Sequence, residues 1–398
     1  MPQQTVKQRS RGFICINAHP EGCARNVQHQ IDAVLQARPE GTVGPQNVLV
    51  IGSSTGYGLA TRIAAAWGFS ANTLGVFFER PPEGKRTASA GYYNTVALHR
   101  LAREAGLWAE GVNADAFSDE GKRQTIDLIR RGMGKVGLVV YSLASPRRTH
   151  PRTGETFNSA LKTIGEPFTG KTVNFATGDV MQITIEPATE QEVTDTIAVM
   201  GGEDWKLWID LLLSEDLLAD GARTLAYSYV GPELTWPIYR QGTIGAAKKD
   251  LEATARTLDV QLASRIGGHA WVSINKAVVT QASAAIPVVS LYISLLLRVM
   301  KQKGTHEGSI EQISRLCFDY LAAGKEVATD ANRLIRLDNL EMQEDVQSAV
   351  ADLWDRVTTE NLSEISDITG FRKEFSNLFG FQVDGIDYEA PTETELAF

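Results

Sequence analysis

The chain has 398 residues, of which 43% are hydrophobic and 22% charged, a balance that suits a soluble enzyme with a sizeable core. A net charge of −9 leaves no global basic footprint, so a nucleic-acid role is not expected and acidic ligands must meet local basic groups. Cys15, Cys23 and Cys317 are odd in number and lack metal-ligand spacing, which fits a reduced, cytoplasmic setting.

The start, "MPQQTVKQRSRGF", is basic with no apolar run after it, which speaks against a signal peptide. Segment 47–52, "NVLVIG", predicts a strand ending in glycine, and 59–69 predicts a helix. Strands follow at 72–79, 108–116 and 136–146, with helices at 94–106 and 120–134 between them. Two further strands, 223–231 and 269–275, flank a helix running from about Thr243 to Ala263. Such alternation predicts a doubly wound, Rossmann-like α/β fold with a parallel sheet. The interval 147–222 exceeds one crossover and implies an insertion. The apolar stretch 282–297 is only 16 residues long and contains Pro287, so it reads as a buried core helix and not as a membrane span. Beyond residue 300 the pattern is helical, with "SIEQ" (309–312) in capping-box form and an amphipathic run at 340–357. The expectation is one compact unit over 1–398, with a catalytic core at 47–300 and a helical C-terminal extension at 301–398.

"VLVIGSSTGYGLATRIA" sets Gly52, Gly56 and Gly58 between a strand and a helix. Glycines there permit a tight turn and let a pyrophosphate sit on the helix N-terminus. A purely structural turn is the plain alternative. Glu79 ends the second strand, where a carboxylate accepts from ribose hydroxyls and repels a 2′-phosphate, favouring NADH; neighbouring Arg80 pulls the other way. Asp115 and Ala116 end the third strand, where adenine would lie. Leu143, Ala144 and Ser145 end the fourth, near the nicotinamide ribose.

In "YRQGTIGAAKK" (239–249), Tyr239 precedes Lys248 by nine positions and Lys249 by ten. Nine residues of helix turn roughly 900°, which would put Tyr239 and Lys248 on opposite faces. They share a site only if the helix begins between them, and Thr243 is the candidate N-cap. A lysine beside a nicotinamide ribose can donate to its hydroxyls, and its charge favours a more acidic phenol nearby. Such a phenol is a good donor to an oxyanion forming on a substrate carbonyl. Tyr227 and Tyr229 are rivals for that role. Arg147, Arg148, His150 and Arg152 form a basic loop that reads either as a dock for coenzyme A phosphates or an acidic carrier, or as a solvated turn. Scattered histidines give no zinc spacing, and no G-x-S-x-G nucleophile motif occurs.

"GSSTGYG", "FFE", "YSLASP" and Y-x(8)-K-K resemble the long single-chain enoyl-thioester reductases. That family comprises the V-type bacterial enoyl-acyl-carrier-protein reductases and the trans-2-enoyl-CoA reductases, an enlarged branch of the short-chain dehydrogenase/reductases. The likeness extends to 277–287 and 380–390. It implies NADH-dependent reduction of the trans-2 double bond of an enoyl thioester, carried on acyl carrier protein or coenzyme A, in fatty acid synthesis. Neither flavin nor metal is implied. Tyr239 would be the proton donor, Lys248 would hold the nicotinamide ribose, and Tyr229 would contact substrate. Gly52, Ser53, Ser54, Thr55, Gly56 and Tyr57 would hold the pyrophosphate. Phe78, Glu79, Asp115, Ala116, Leu143, Ala144, Val278, Val279 and Thr280 would line the cofactor. A monomer is expected, because the extension would cover surfaces that smaller relatives use for tetramers. A 3-ketoacyl or alcohol reductase and a non-catalytic dinucleotide sensor are the alternative readings.

Overall fold

A computed structural model of the chain describes residues 3–11, 14–143 and 145–398. Seven strands, all parallel, make the central sheet: β1 (Asn47–Ile51), β2 (Asn72–Phe77), β3 (Ala109–Asn113), β4 (Val136–Tyr141), β5 (Leu218–Ser228), β6 (His269–Ile274) and β7 (Leu334–Arg336). Their spatial order is 3-2-1-4-5-6-7. The chain steps outward from β1 to β3 and then restarts at β4 on the other side of β1. A crevice therefore opens between β1 and β4 at the carboxyl ends, the switch point where such sheets bind dinucleotides. The Rossmann-like reading holds.

Strand parity distributes the core. Val48 and Val50 of β1 point into one apolar cluster with α1 (Pro20–Ala37), α2 (Gly56–Ile63) and α3 (Ala90–Glu104). Leu49 and Ile51 point into a second, built with α4 (Asp119–Leu128), α6 (Glu203–Ser214) and α7 (Thr243–Ile266) on that side of the sheet, and α5 (Glu190–Met200) packs against α7. A strand buried on both faces shows no polar alternation, which is why these strands read as unbroken apolar runs. The insertion holds two hairpins, Arg147–Thr149 with Thr156–Asn158 and Phe168–Val173 with Val180–Ile185, followed by α5 and α6.

Several expectations need correction. The apolar stretch 282–297 is broken: α8 (Gln281–Ala285) stops before Pro287, and α9 (Val289–Lys303) starts after Val288, whose φ is 73°. Proline has no N–H for a continuing helix, so the break falls there. Beyond residue 300 the chain is not helical alone, because β7 pairs with β6 and is too short, at three residues, to show a strand pattern. In α10 (Ser309–Arg315) the cap is Gly308, one residue before "SIEQ", and its N–H donates to Glu311 Oε2 at 2.9 Å. Gly242, not Thr243, caps α7, while the Thr243 hydroxyl bonds the carbonyl of Ala160 in the insertion. α1 has no counterpart in the sequence reading.

The buried Lys122–Asp204 pair ties α4 to α6. Lys122 Nζ donates to Asp204 Oδ1 at 2.8 Å and to the carbonyls of Ala116 and Phe117. The two side chains are 6% and 2% exposed. Lys122→Met should cost about 3–5 kcal/mol, since it strands an uncompensated carboxylate in the core. Chemical denaturation checks this, and an unchanged midpoint would mean that the pair contributes nothing.

Candidate active site

The glycine turn lies between β1 and α2 at the switch point. A side chain at Gly58 would meet the Gly52 carbonyl at 1.9 Å, so only glycine lets the helix start this close to the strand end. Gly56, at φ 52°, has open space where its Cβ would stand, and no side chain caps α2. Free first-turn N–H groups facing an open crevice fit a pyrophosphate. The turn is not uniform, however. The N–H groups of Gly52 and Ser53 are both spent on the Val76 carbonyl, and Ser53 is fully buried. Ser54 Oγ donates to Glu79 Oε1 at 2.6 Å. Tyr57 points away, its hydroxyl bonded to the Lys276 carbonyl. The part of the turn left open to an anion is therefore the backbone from Thr55 to Gly58.

Phe78 is 78% exposed directly after β2, an apolar ring offered to the crevice side of the sheet. Glu79 follows, and Asn113 from β3 brackets its backbone with bonds of 2.8 and 2.9 Å. Asp115 caps a turn by accepting from the Phe117 N–H at 2.9 Å. Ala116 is buried and its carbonyl is taken by Lys122 and Trp208, so its side chain belongs to the core and not to the crevice. Leu143 is half-buried, and Ala144 lies outside the described residues. Val278 and Val279 are buried in the segment leaving β6, and Thr280 accepts from the Ser283 N–H as the cap of α8.

Tyr239 sits in a turn ahead of α7, with its N–H on the Thr235 carbonyl. A side chain at Gly245 would meet the Arg240 carbonyl at 2.1 Å, so glycine allows the turn to fold tightly onto the helix. Tyr239 and Lys248 consequently line one cleft of about 190 Å³, together with Tyr229, Arg240 and Lys249. Both lysines reach it: Lys248 half-buried, its Nζ 3.5 Å from the Tyr227 carbonyl, and Lys249 exposed at the rim. Tyr227 is occupied elsewhere, its hydroxyl 2.6 Å from Thr61 Oγ1. The rings of Tyr229 and Tyr239 meet edge-on at 4.8 Å.

Burial, and then the Glu341 carboxylate, push the Tyr239 phenol above its ordinary range. That is the reverse of the acidification expected from a neighbouring lysine. In the basic loop Arg147 and Arg152 are exposed, and only Arg148 departs from both expectations. Arg148 is buried, donating to the Ala198 carbonyl and Glu203 at 2.6 and 2.7 Å, and it stacks on Phe117. Glu341 escaped the sequence reading because nothing in "NLEMQEDV" separates it from the surface acids of an amphipathic run.

A parallel sheet with a glycine turn at its switch point, and a tyrosine and lysine converging at the same edge, fits a dinucleotide-dependent oxidoreductase. Residues 86–321 match the trans-2-enoyl-CoA reductase catalytic region, and 5–84 match the NAD(P)H binding domain of trans-2-enoyl-CoA reductase. Residues 329–392 match an enoyl reductase FAD binding domain. An enoyl-[acyl-carrier-protein] reductase [NADH] of Coxiella burnetii is 57% identical over 98% of this chain and 97% of its own. The Treponema denticola trans-2-enoyl-CoA reductase, solved with NAD, superposes with a TM-score of 0.95 at 46% identity, covering 99% of this chain and 100% of that one. The Clostridium acetobutulicum enzyme, solved with NADH, gives 0.95 at 42% identity, with 99% and 98% covered. The chain belongs to the trans-2-enoyl-CoA reductase family.

Among the described residues of 329–392, no glycine turn joins a strand to a helix. Gly370 packs on Asp367 and Gly380 on Cys23. This segment does not offer a flavin the pyrophosphate cradle that β1 and α2 offer NADH.

Burial lowers the Lys248 ammonium to about 8, so its charge is present below that pH and lost above it. NADH binding should weaken about tenfold one pH unit above that value if only the ammonium form engages the cofactor. Fluorescence titration across the range checks this, and Lys248→Met should flatten the profile. A flat wild-type profile would remove Lys248 from cofactor binding.

Proposed function

We propose that this protein reduces the trans-2 double bond of enoyl thioesters with NADH, in fatty acid synthesis. The observation that carries the reading is the convergence of Tyr239 and Lys248 on one cleft at the carboxyl edge of a dinucleotide-binding sheet. Bound NADH supplies the hydride that adds to the β-carbon of the substrate. Tyr239 hydrogen-bonds the thioester carbonyl oxygen as it becomes an enolate, and supplies a proton. Its raised phenol keeps that proton at neutral pH until the oxyanion forms. A preorganised donor of this kind is typically worth about 3 kcal/mol in the transition state. Lys248 holds the nicotinamide ribose, Thr55 to Gly58 hold the pyrophosphate, and Phe78, Glu79 and Asp115 line the adenosine. Glu79 disfavours a 2′-phosphate and so favours NADH. Leu143 and the segment Val278–Thr280 flank the nicotinamide, and Tyr229 walls the substrate.

The whole chain acts as one catalytic unit, without flavin or metal. The core over 47–300 supplies the crevice, and 301–398 supplies β7 and the back of the cleft. α9 is buried along its length within its own chain, which supports a monomer. The three cysteines are free, which supports a cytoplasmic setting. No helix of the described residues is long and apolar enough to cross a membrane. Carrier choice is left to the cleft rim, where Arg240 and Lys249 suit the phosphates of coenzyme A or of an acyl carrier protein's prosthetic arm.

Purified protein should consume NADH with crotonyl-CoA, and NADPH far more slowly, while lacking the visible absorbance of a flavin. Tyr239→Phe should keep NADH affinity and lose at least about a hundredfold in turnover, the size of effect seen when one oxyanion donor is removed. Near wild-type turnover in that variant would remove Tyr239 from the mechanism. Consumption with a 3-ketoacyl thioester and none with an enoyl thioester would replace this reading with the ketoreductase one.

A further inference from the structure

Glu341 is fully buried four residues after the Leu337–Leu340 turn begins, in the C-terminal segment that matches the flavin-domain description. Three donors converge on its carboxylate. Tyr229 Oη donates to Oε1 at 2.9 Å, Tyr292 Oη to the same oxygen at 2.6 Å, and the Ala277 N–H to Oε2 at 2.7 Å. Gln347 holds the Glu341 carbonyl at 2.7 Å and the Tyr292 hydroxyl at 3.1 Å, which fixes the carboxylate from behind. Lys276, also buried, donates at 2.7 Å to the Ala277 carbonyl and supplies the nearest opposite charge.

A buried carboxylate is costly unless its oxygens are fully used, so a site built this way does specific work or is poorly built. Here the two oxygens hold different elements behind the cleft. One pins the phenol of Tyr229, whose ring is the edge-on neighbour of Tyr239. The other pins Ala277, which opens the segment running past the nicotinamide position to Thr280. We infer that Glu341 is a positioning residue for the reduction: it holds the Tyr229 wall, and through it the Tyr239 ring, in register with the Ala277–Thr280 backbone. The inference rests on the proposed roles of Tyr239 and Tyr229. It also gives the C-terminal segment a task at the NADH-dependent centre itself.

The test is a double-mutant cycle between Glu341→Gln and Tyr229→Phe, read as kcat on crotonyl-CoA and as Kd for NADH. Glutamine keeps an acceptor for the Ala277 N–H but cannot accept from both phenols and the amide at once. Glu341→Gln should lower kcat at least tenfold and move Kd for NADH less than threefold. Combined with Tyr229→Phe, it should add little to the loss of Tyr229→Phe alone. Losses that multiply, or a defect confined to NADH affinity, would overturn the role. If Glu341→Gln does not fold, as judged by its thermal melt, Tyr292→Phe takes its place in the cycle. It strips a donor from the same oxygen and lies outside the cleft lining. Turnover retained by Tyr239→Phe would sink the site reading as a whole, whereas independent losses with Tyr239→Phe inactive would sink only the role of Glu341.

Discussion

Seven strands running one way impose the rest of the molecule. A parallel neighbour can be reached only by a crossover, so every connection must climb over a face of the sheet and every strand must end at the same rim. The glycine turn, Glu79, Asp115, Leu143, Tyr229 and the Ala277 segment come from six different strands and are far apart in sequence. They meet because each follows the carboxyl end of its strand. The faces that the crossovers cover become two apolar layers, and the rim that they leave open becomes the crevice.

Electrostatics at that rim runs against simple expectation. A lysine beside a phenol lowers the phenol's pKa when both are well solvated. Tyr239, Tyr229 and Tyr292 lie instead in low dielectric near a carboxylate, and burial and Glu341 both push their phenols up. A phenol in this setting is a poor acid toward water. Such a phenol keeps its proton at neutral pH and is a donor to a strong oxyanion acceptor set beside it.

The sheet was largely legible because its strands are buried on both faces and separated by helices of ordinary period. β7 was not, since three residues between Arg333 and Leu337 carry no pattern. The start of α7 at Thr243 was legible, but its cap was placed one residue late, because Gly242 and Thr243 both make acceptable caps and only the contact between Thr243 and Ala160 across the insertion decides between them. The glycine turn was recognisable as a motif, but which N–H groups it leaves free depends on the Val76 carbonyl of the neighbouring strand. Arg148 was misjudged for the same reason: its partners, the Ala198 carbonyl and Glu203, lie on other elements. Glu341 carried no local signal, because a buried acid and a surface acid look alike until tertiary contacts are known.

The edge strand has a consequence for local stability. β7 is three residues long and pairs on one side only, so it holds the fewest ladder hydrogen bonds of the sheet. Segments of that kind open at a small fraction of the global unfolding free energy. Glu341 follows β7 by five residues, and its carboxylate is also held by Tyr229 and the Ala277 N–H, which follow β5 and β6. Fraying of that edge would therefore load the bonds to Tyr229 and Ala277, while β1, four strands away, keeps both of its strand neighbours. The buried carboxylate thus doubles as a clamp that secures a short edge strand to the ends of the next two strands of the sheet.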